Sequence, residues 1–284
     1  MTPLRRKMLN DLVVRGLAEN TQKSYLYAVS GLARHYHRSP DQISAQEVQE
    51  YLIALHQQRQ LSWRSCNAIR HGLRFFYRIT LGWPEPHFYI PGAKEASKLP
   101  EVLSHKELVR LFTVTTNRKQ RALLMTGYAA GLRASELTHL KVTDIDSQRM
   151  CIRIEQGKGQ KDRYVPLSPR LLQQLRHYWH RYRPPVWLFP GHPQDRPMSR
   201  YGASWIYRKA KTKAHINKAG GIHILRHCFG THLLEAGTEL VVIQRLMGHT
   251  SIRSTMRYLH IAQAQTTATT SPLELLDLPT PPRR

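Results

Sequence analysis

The stretch from Leu81 to Pro100 limits what this chain can fold into more than any other feature. It holds Gly82, Pro84, Pro86, Pro91, Gly92 and Pro100, with Lys94 and Lys98 between them. Proline donates no backbone hydrogen bond and its ring clashes with the preceding turn, so no continuous helix can cross this stretch. A chain of 284 residues is then expected to bury two cores rather than one. The expected division is a domain over residues 1–90, a linker at 91–100, a second domain at 101–265 and a tail at 266–284.

Each side has its own periodicity. Before the break, apolar residues recur at intervals of three and four, as in Tyr25, Val29, Leu32 and Tyr36, then Val48, Tyr51, Leu52 and Leu55. That spacing predicts helices, four in all. Ser44 with Glu47, and Ser104 with Glu107 beyond the break, have the spacing at which two side chains satisfy each other's backbone donors at a helix start. A helical pattern runs through Arg121 to Ala130, and Gly131 is expected to end it. Met150, Ile152 and Ile154 then alternate with Cys151, Arg153 and Glu155, and Tyr164 and Val165 follow a glycine-flanked turn. This predicts a β-hairpin with Gly157 to Lys161 at its tip. A helix over Pro169 to Tyr182, a short strand at Val186 to Phe189 and further helices broken at Gly220, Gly237 and Gly248 complete the expectation.

Composition narrows the partner. Lys and Arg number 43 against 19 Asp and Glu, a formal charge of +24. A fold so basic repels itself until a polyanion neutralises it, which points to nucleic acid. No run approaches the roughly 18 apolar residues of a spanning helix, so no membrane role is expected. Cys66, Cys151 and Cys228 are odd in number and far apart, which predicts neither a disulfide framework nor a zinc site and fits a cytoplasmic location. No Gly-x-x-x-x-Gly-Lys-Ser/Thr loop is present for a nucleotide, and no cofactor or metal is expected.

Five short motifs follow in order: Gly131-Leu-Arg-Ala-Ser-Glu-Leu137, Gly157-Lys-Gly159, His223-Ile-Leu-Arg-His227, Leu246-Met-Gly-His249 and Tyr258-Leu-His260. Together they resemble the tyrosine recombinase, or phage integrase, family over essentially the whole chain, with a Xer-like or transposon- or integron-associated enzyme as the nearest kind. The resemblance implies a multidomain α and α+β fold. An all-helical N-terminal core-binding, SAM-like domain would precede a mixed α+β catalytic domain, the two forming a C-shaped clamp on double-stranded DNA. It implies four subunits on two DNA sites. It also implies Arg133 and Arg226 as paired arginines, Lys158 as the hairpin lysine, His223 and His249 as the histidines and Tyr258 as nucleophile. Site-specific recombination is the activity implied. Type IB topoisomerase chemistry and a silent DNA-binding regulator are the alternatives.

The chemistry also stands without the resemblance. Breaking a phosphodiester without a metal needs other cations on the non-bridging oxygens, and a guanidinium donates two parallel hydrogen bonds. His223 and Arg226 are three apart at the start of a predicted helix, so they share a face. A histidine can assist removal of the tyrosine proton or bond the phosphate, whereas the departing 5′ oxygen needs an acid, for which Lys158 is the candidate. A tyrosine hydroxyl ordinarily ionises near pH 10, so nearby cations must favour the phenolate. Glu136 is read as an orienting partner for Arg133 or nearby backbone, and His227 as a helix residue packing internally.

Two basic stripes are expected to touch DNA. Arg70, Arg74 and Arg78 are spaced by four, and the stretch from Arg200 to Arg226, ends included, holds seven basic residues and no acidic one, among them Arg208, Lys209, Lys211 and Lys213. Like charges on one helix face are unfavourable until a phosphate backbone neutralises them. The tail carries an apolar patch in Leu273, Leu275, Leu276 and Leu278, suited to covering this chain's own core or a neighbouring subunit.

Overall fold

The computed structural model describes residues 1–84, 88, 101–155, 162–256 and 258–259. The chain divides into two compact units, Met1–Ser97 and Lys98–Arg284. The linker expected at 91–100, Lys158 with the hairpin tip, and the tail from 266 lie outside the described residues.

In the first unit the described residues form four α-helices: α1 (Pro3–Val14), α2 (Glu19–Tyr36), α3 (Ala45–Gln57) and α4 (Trp63–Phe75). Their starts are locally encoded. Thr2 and Ser62 cap α1 and α4, and the Ser44–Glu47 capping box starts α3. The apolar periodicity then converges on one core of Met8, Leu12, Leu32, Val48, Leu52, Cys66, Leu73 and Phe76. α4 runs on into a π-helical turn over Phe76–Thr80. Arg74 and Arg78 are exposed, but Arg70 is half-buried. Its Nη1 donates to the Phe88 carbonyl at 3.4 Å, and its Nε is buried with no hydrogen-bond partner among the described residues. The exposed part of the expected stripe is therefore Arg74 and Arg78.

The second unit is mostly helical with one small sheet. The Ser104–Glu107 capping box starts α5 (His105–Val114), followed by α6 (Arg118–Ala129) and the short α7 (Ala134–Thr138). Strands β1 (Ile145–Asp146), β2 (Cys151–Ile154) and β3 (Arg163–Pro166) form an antiparallel sheet in that order, with Ile152 opposite Val165. Alternation buries Ile152, Ile154 and Val165 in a core shared with Leu111, Leu124, Leu137, Leu171 and Leu225. The helices α8 (Pro169–Tyr182), α9 (Arg200–Lys213), α10 (His223–Glu235), α11 (Leu240–Met247) and α12 (Arg253–Met256) complete the described part.

The strand expected at Val186 to Phe189 is not formed. Within that stretch Trp187 makes a single isolated bridge, to Lys141, and just beyond it Pro190 bridges Pro197. Pro184, Pro185 and Pro190 flank it and remove donors a ladder would need. The Leu188 carbonyl is also taken by the Tyr178 hydroxyl at 2.7 Å.

On α9, Ala203, Ile206, Tyr207 and Ala210 are buried, while Arg208, Lys209 and Lys213 are exposed and Lys211 is half-buried. All three cysteines are unpaired thiols. Among the described residues no helix is long and apolar enough to cross a membrane.

One half-buried histidine makes the second unit's stability sensitive to acid. On α10 the His232 ring stacks on His105 at 4.2 Å, and its Nδ1 lies 3.0 Å from the Tyr128 hydroxyl. Burial, and then the neighbouring His105, hold its pKa down at about 4. An unfolded histidine ionises near 6.5. Between those values the unfolded state binds the extra proton, so stability falls as pH is lowered through that window. The melting temperature is expected to drop more between pH 7 and pH 4.5 in the parent than in His232→Gln. Equal drops in the two proteins would refute this assignment.

Candidate active site

The site is organised by the end of α11. The last carbonyls of a helix have no partner within it and carry the negative end of its dipole. Here Gly248, at φ +59, turns the chain out of the helix in the left-handed region, which glycine adopts at no steric cost. Three successive carbonyls are left facing three arginines from three other elements. Arg163 Nε donates to the Leu246 carbonyl at 2.8 Å, Arg226 Nη2 to Met247 and Arg133 Nη2 to Gly248 at 2.9 Å. A fourth carbonyl, that of Gly131, accepts from Arg226 Nη1 at 2.6 Å.

Glu136 sets one negative charge against the three arginines. Arg163 grips both of its oxygens, at 2.9 and 2.8 Å, Arg133 Nη1 reaches Oε1 at 2.6 Å, and Arg226 Nη1 lies 3.8 Å from Oε2. Burial opposes ionisation of this carboxyl. The bonds and charge of Arg163, and then the Arg133 amide and guanidinium, outweigh it and hold the pKa at about 2. Arg226 is 1% exposed. Burial, and then the Arg133 cation, bring its pKa down to about 10, so it stays charged at neutral pH. The two arginines named from sequence thus stand in one network, each with its donors aimed by backbone oxygens.

Arg226 lies one turn into α10, and His223, His227 and Gly230 lie on the same helix. His223 is exposed, and its ring meets that of His227 edge to face at 4.9 Å. The Tyr258 hydroxyl is 3.2 Å from His227 Nδ1, and the phenol is 1% exposed. The His249 ring lies nearly parallel to that of Tyr258 at 6.4 Å, and its Nδ1 is 2.8 Å from Thr255 Oγ1. Arg133, His223, Arg226, His249 and Tyr258 therefore form one connected cluster, and Lys158 lies outside the described residues.

Tyr258 rests where α10 has no side chain. A Cβ on Gly230 would stand 2.9 Å from Tyr258 Cε2 and 3.1 Å from Met247 Sδ, with no slack in a buried contact. Gly230→Ala is expected to displace the phenol ring, to cost roughly 1–3 kcal/mol of stability as overpacking does, and to slow any reaction of the hydroxyl. A melting curve and reaction rate both unchanged would show that the ring does not depend on that seat.

Sequence reasoning missed two members of this cluster. Arg163 directly precedes the Tyr164 and Val165 that mark the second hairpin strand, and nothing in its spacing singles it out. His227 was assigned to internal packing, whereas the structure sets its Nδ1 against the Tyr258 hydroxyl. Its signal was the four-residue spacing from His223, which puts the two rings on one face. The expected role of Glu136 as a partner of Arg133 matches the contacts found, with Arg163 added. Among the described residues no group of three or more His, Cys, Asp or Glu is placed to hold a metal ion.

Comparison with known proteins gives this arrangement a context. The phage integrase family matches residues 101–265, and the N-terminal SAM-like domain of phage integrases matches residues 4–85. A Sinorhizobium fredii protein named "Putative integrase/recombinase y4qK" is 45% identical over 99% of this chain and 92% of its own length. The tyrosine recombinase XerD of Yersinia pestis is 31% identical over 92% of this chain and 93% of its own. In fold, the chain is similar to a lambda integrase dimer bound to a COC′ core site, with a TM-score of 0.73 at 17% identity, covering 88% of this chain and 95% of that one. With sequence relatives along nearly its full length and matched family domains in both units, the chain belongs to the phage integrase family, the tyrosine recombinases.

Proposed function

We propose that this chain is a site-specific DNA recombinase that breaks and rejoins duplex DNA through a 3′-phosphotyrosyl bond on Tyr258. The observation that carries the proposal is the convergence of two carbonyl-anchored guanidiniums, Arg133 and Arg226, on the cluster that holds the Tyr258 hydroxyl.

Arg133 and Arg226 hold the non-bridging oxygens of the scissile phosphate, where charge grows in the transition state. Because their remaining donors are already engaged by protein oxygens, little reorganisation is needed when the phosphate arrives. His223 and His249 add hydrogen bonds around the phosphate. The Tyr258 oxygen attacks phosphorus, the bond to the 5′ oxygen breaks, and Lys158 supplies that oxygen's proton. The phosphotyrosyl ester conserves the energy of the broken bond, so a second 5′ hydroxyl reverses the step without ATP. Arginine charge does the work of a metal at the phosphate.

Duplex DNA is the proposed partner. Arg74 and Arg78 of the domain over 1–90, with Arg70 at its edge, and Arg208, Lys209, Lys211 and Lys213 of the domain over 101–265 supply phosphate contacts that position the protein without reading sequence. Four copies on two sites is the proposed assembly, and a structure similar in fold shows a lambda integrase tetramer on a Holliday junction.

The test is covalent capture. The full-length protein is incubated with nicked duplexes carrying a randomised core, and adducts surviving denaturation are recovered. The expected result is DNA attached to the peptide containing Tyr258, with a shared sequence among the captured cores. Absence of any adduct, or attachment to another residue, would refute the mechanism.

A further inference from the structure

We infer that His227, rather than His223, takes the proton from Tyr258 when the phenol becomes the nucleophile. This rests on the phosphotyrosyl reading above and assigns its proton acceptor.

Three observations support the assignment. The Tyr258 side chain is 1% exposed, so its proton must first pass to the protein rather than directly to bulk water. The hydroxyl lies 3.2 Å from His227 Nδ1, within the reach expected of a base and its acid. His227 is itself partly exposed and meets the exposed ring of His223 at 4.9 Å, so a route from it to solvent is at hand. In the neutral tautomer protonated at Nε2, His227 Nδ1 accepts the hydrogen bond that the phenol donates.

Charged and titratable side chains surround His227. His223 shares its helix, and Arg226 is its neighbour on that helix and is coupled electrostatically to Tyr258. Glu136 pairs with Arg133 and lies 3.8 Å from Arg226, and the His249 ring lies nearly parallel to the phenol at 6.4 Å. The arginine cations favour the phenolate as it forms.

The step balances. The phenol O–H bond breaks as an N–H bond forms at His227 Nδ1, and the phenolate oxygen bonds phosphorus as the bond to the 5′ oxygen breaks. That oxygen takes its proton from a separate acid. On rejoining, the imidazolium returns its proton to the tyrosine oxygen.

The test uses the full-length protein and duplexes recovered by covalent capture, made with either oxygen or sulfur at the bridging 5′ position. A thiolate leaves without needing an acid, so sulfur relieves loss of the acid and does not relieve loss of the base. The His227→Asn variant sets an amide oxygen near the position of Nδ1, keeping a hydrogen-bond acceptor for the phenol while losing the ability to take its proton. Single-turnover cleavage by His227→Asn is expected to fall by roughly 10²–10⁴-fold with both bridging atoms. The rise in parent rate through the histidine range, near pH 6.5, should also vanish. His223→Asn should retain that rise. Where His227→Asn melts below the assay temperature, His227→Gln serves as the second variant with the same expectations.

Cleavage by the His227 variant within about 3-fold of the parent, or restoration to the parent rate by sulfur, overturns the assignment; a 3-fold change is under about 0.7 kcal/mol. Transfer of the pH dependence to His223→Asn overturns it as well. A parent protein that captures no DNA instead refutes the phosphotyrosyl mechanism, and the two failures are therefore distinct.

Discussion

Tyr258→Phe is expected to bind the captured duplexes as the parent does and to form no covalent adduct. The substitution removes one oxygen and leaves the ring, so the contacts with Gly230 and Met247 that seat it are retained. Its structural cost is the hydrogen bond to His227 Nδ1, about 0.5–1.5 kcal/mol for an ordinary intramolecular bond. Its chemical cost is of another order, because deleting the nucleophile from a covalent mechanism lowers turnover by roughly 10⁶-fold in a comparable case. Denaturing gels report the adduct, and a melting curve with a duplex-binding titration reports the fold. An adduct persisting in Tyr258→Phe would mean that another side chain attacks.

Glu136→Gln carries the largest expected cost in stability. The carboxylate is the acidic partner shared by Arg133 and Arg163, with Arg226 3.8 Å away. A neutral amide of the same shape leaves that positive charge buried without a counter-ion. Removing one partner of a buried ion pair costs about 3–5 kcal/mol. In a unit of this size that corresponds to a fall in melting temperature of roughly 6–20 °C. The carbonyls of Leu246, Met247 and Gly248 remain as acceptors, so the network loosens before it disperses.

The pH signature is separate from the overall loss. With its folded pKa at about 2, below the ordinary carboxylate range, Glu136 contributes stability that is present above about pH 4.3 and disappears as pH falls through 2. The variant should therefore show a shallower loss between those values than the parent. A change under about 1 kcal/mol, measured by denaturant unfolding at neutral pH, would show that Glu136 is not the counter-ion for this cluster.

Much of this protein is encoded at short range. Ser44 and Ser104 start helices because a capping side chain and its target amide are three residues apart, and that distance is set before any tertiary contact forms. The alternation of Ile152 and Ile154 with Arg153 sets which face of the hairpin is buried for the same reason. The ordered motifs around Arg133, Arg226, His249 and Tyr258 likewise needed only residue type and spacing.

Other features depend on where distant segments meet. The prolines around Trp187 and the competing Tyr178 hydroxyl left an apolar run that reads as a strand with a single isolated bridge. Whether Arg163 is a surface charge or a structural cation depends on Glu136 and on the end of α11, which lies more than 80 residues further along the chain. His227 became a partner of Tyr258 because the backbone returns the phenol to α10 beside Gly230, where a Cβ would crowd the ring. Hydrogen bonds and ion pairs act over a few ångströms. Sequence alone could supply the groups and their local geometry, and the tertiary path decided which carbonyl, carboxylate or imidazole each of them would face.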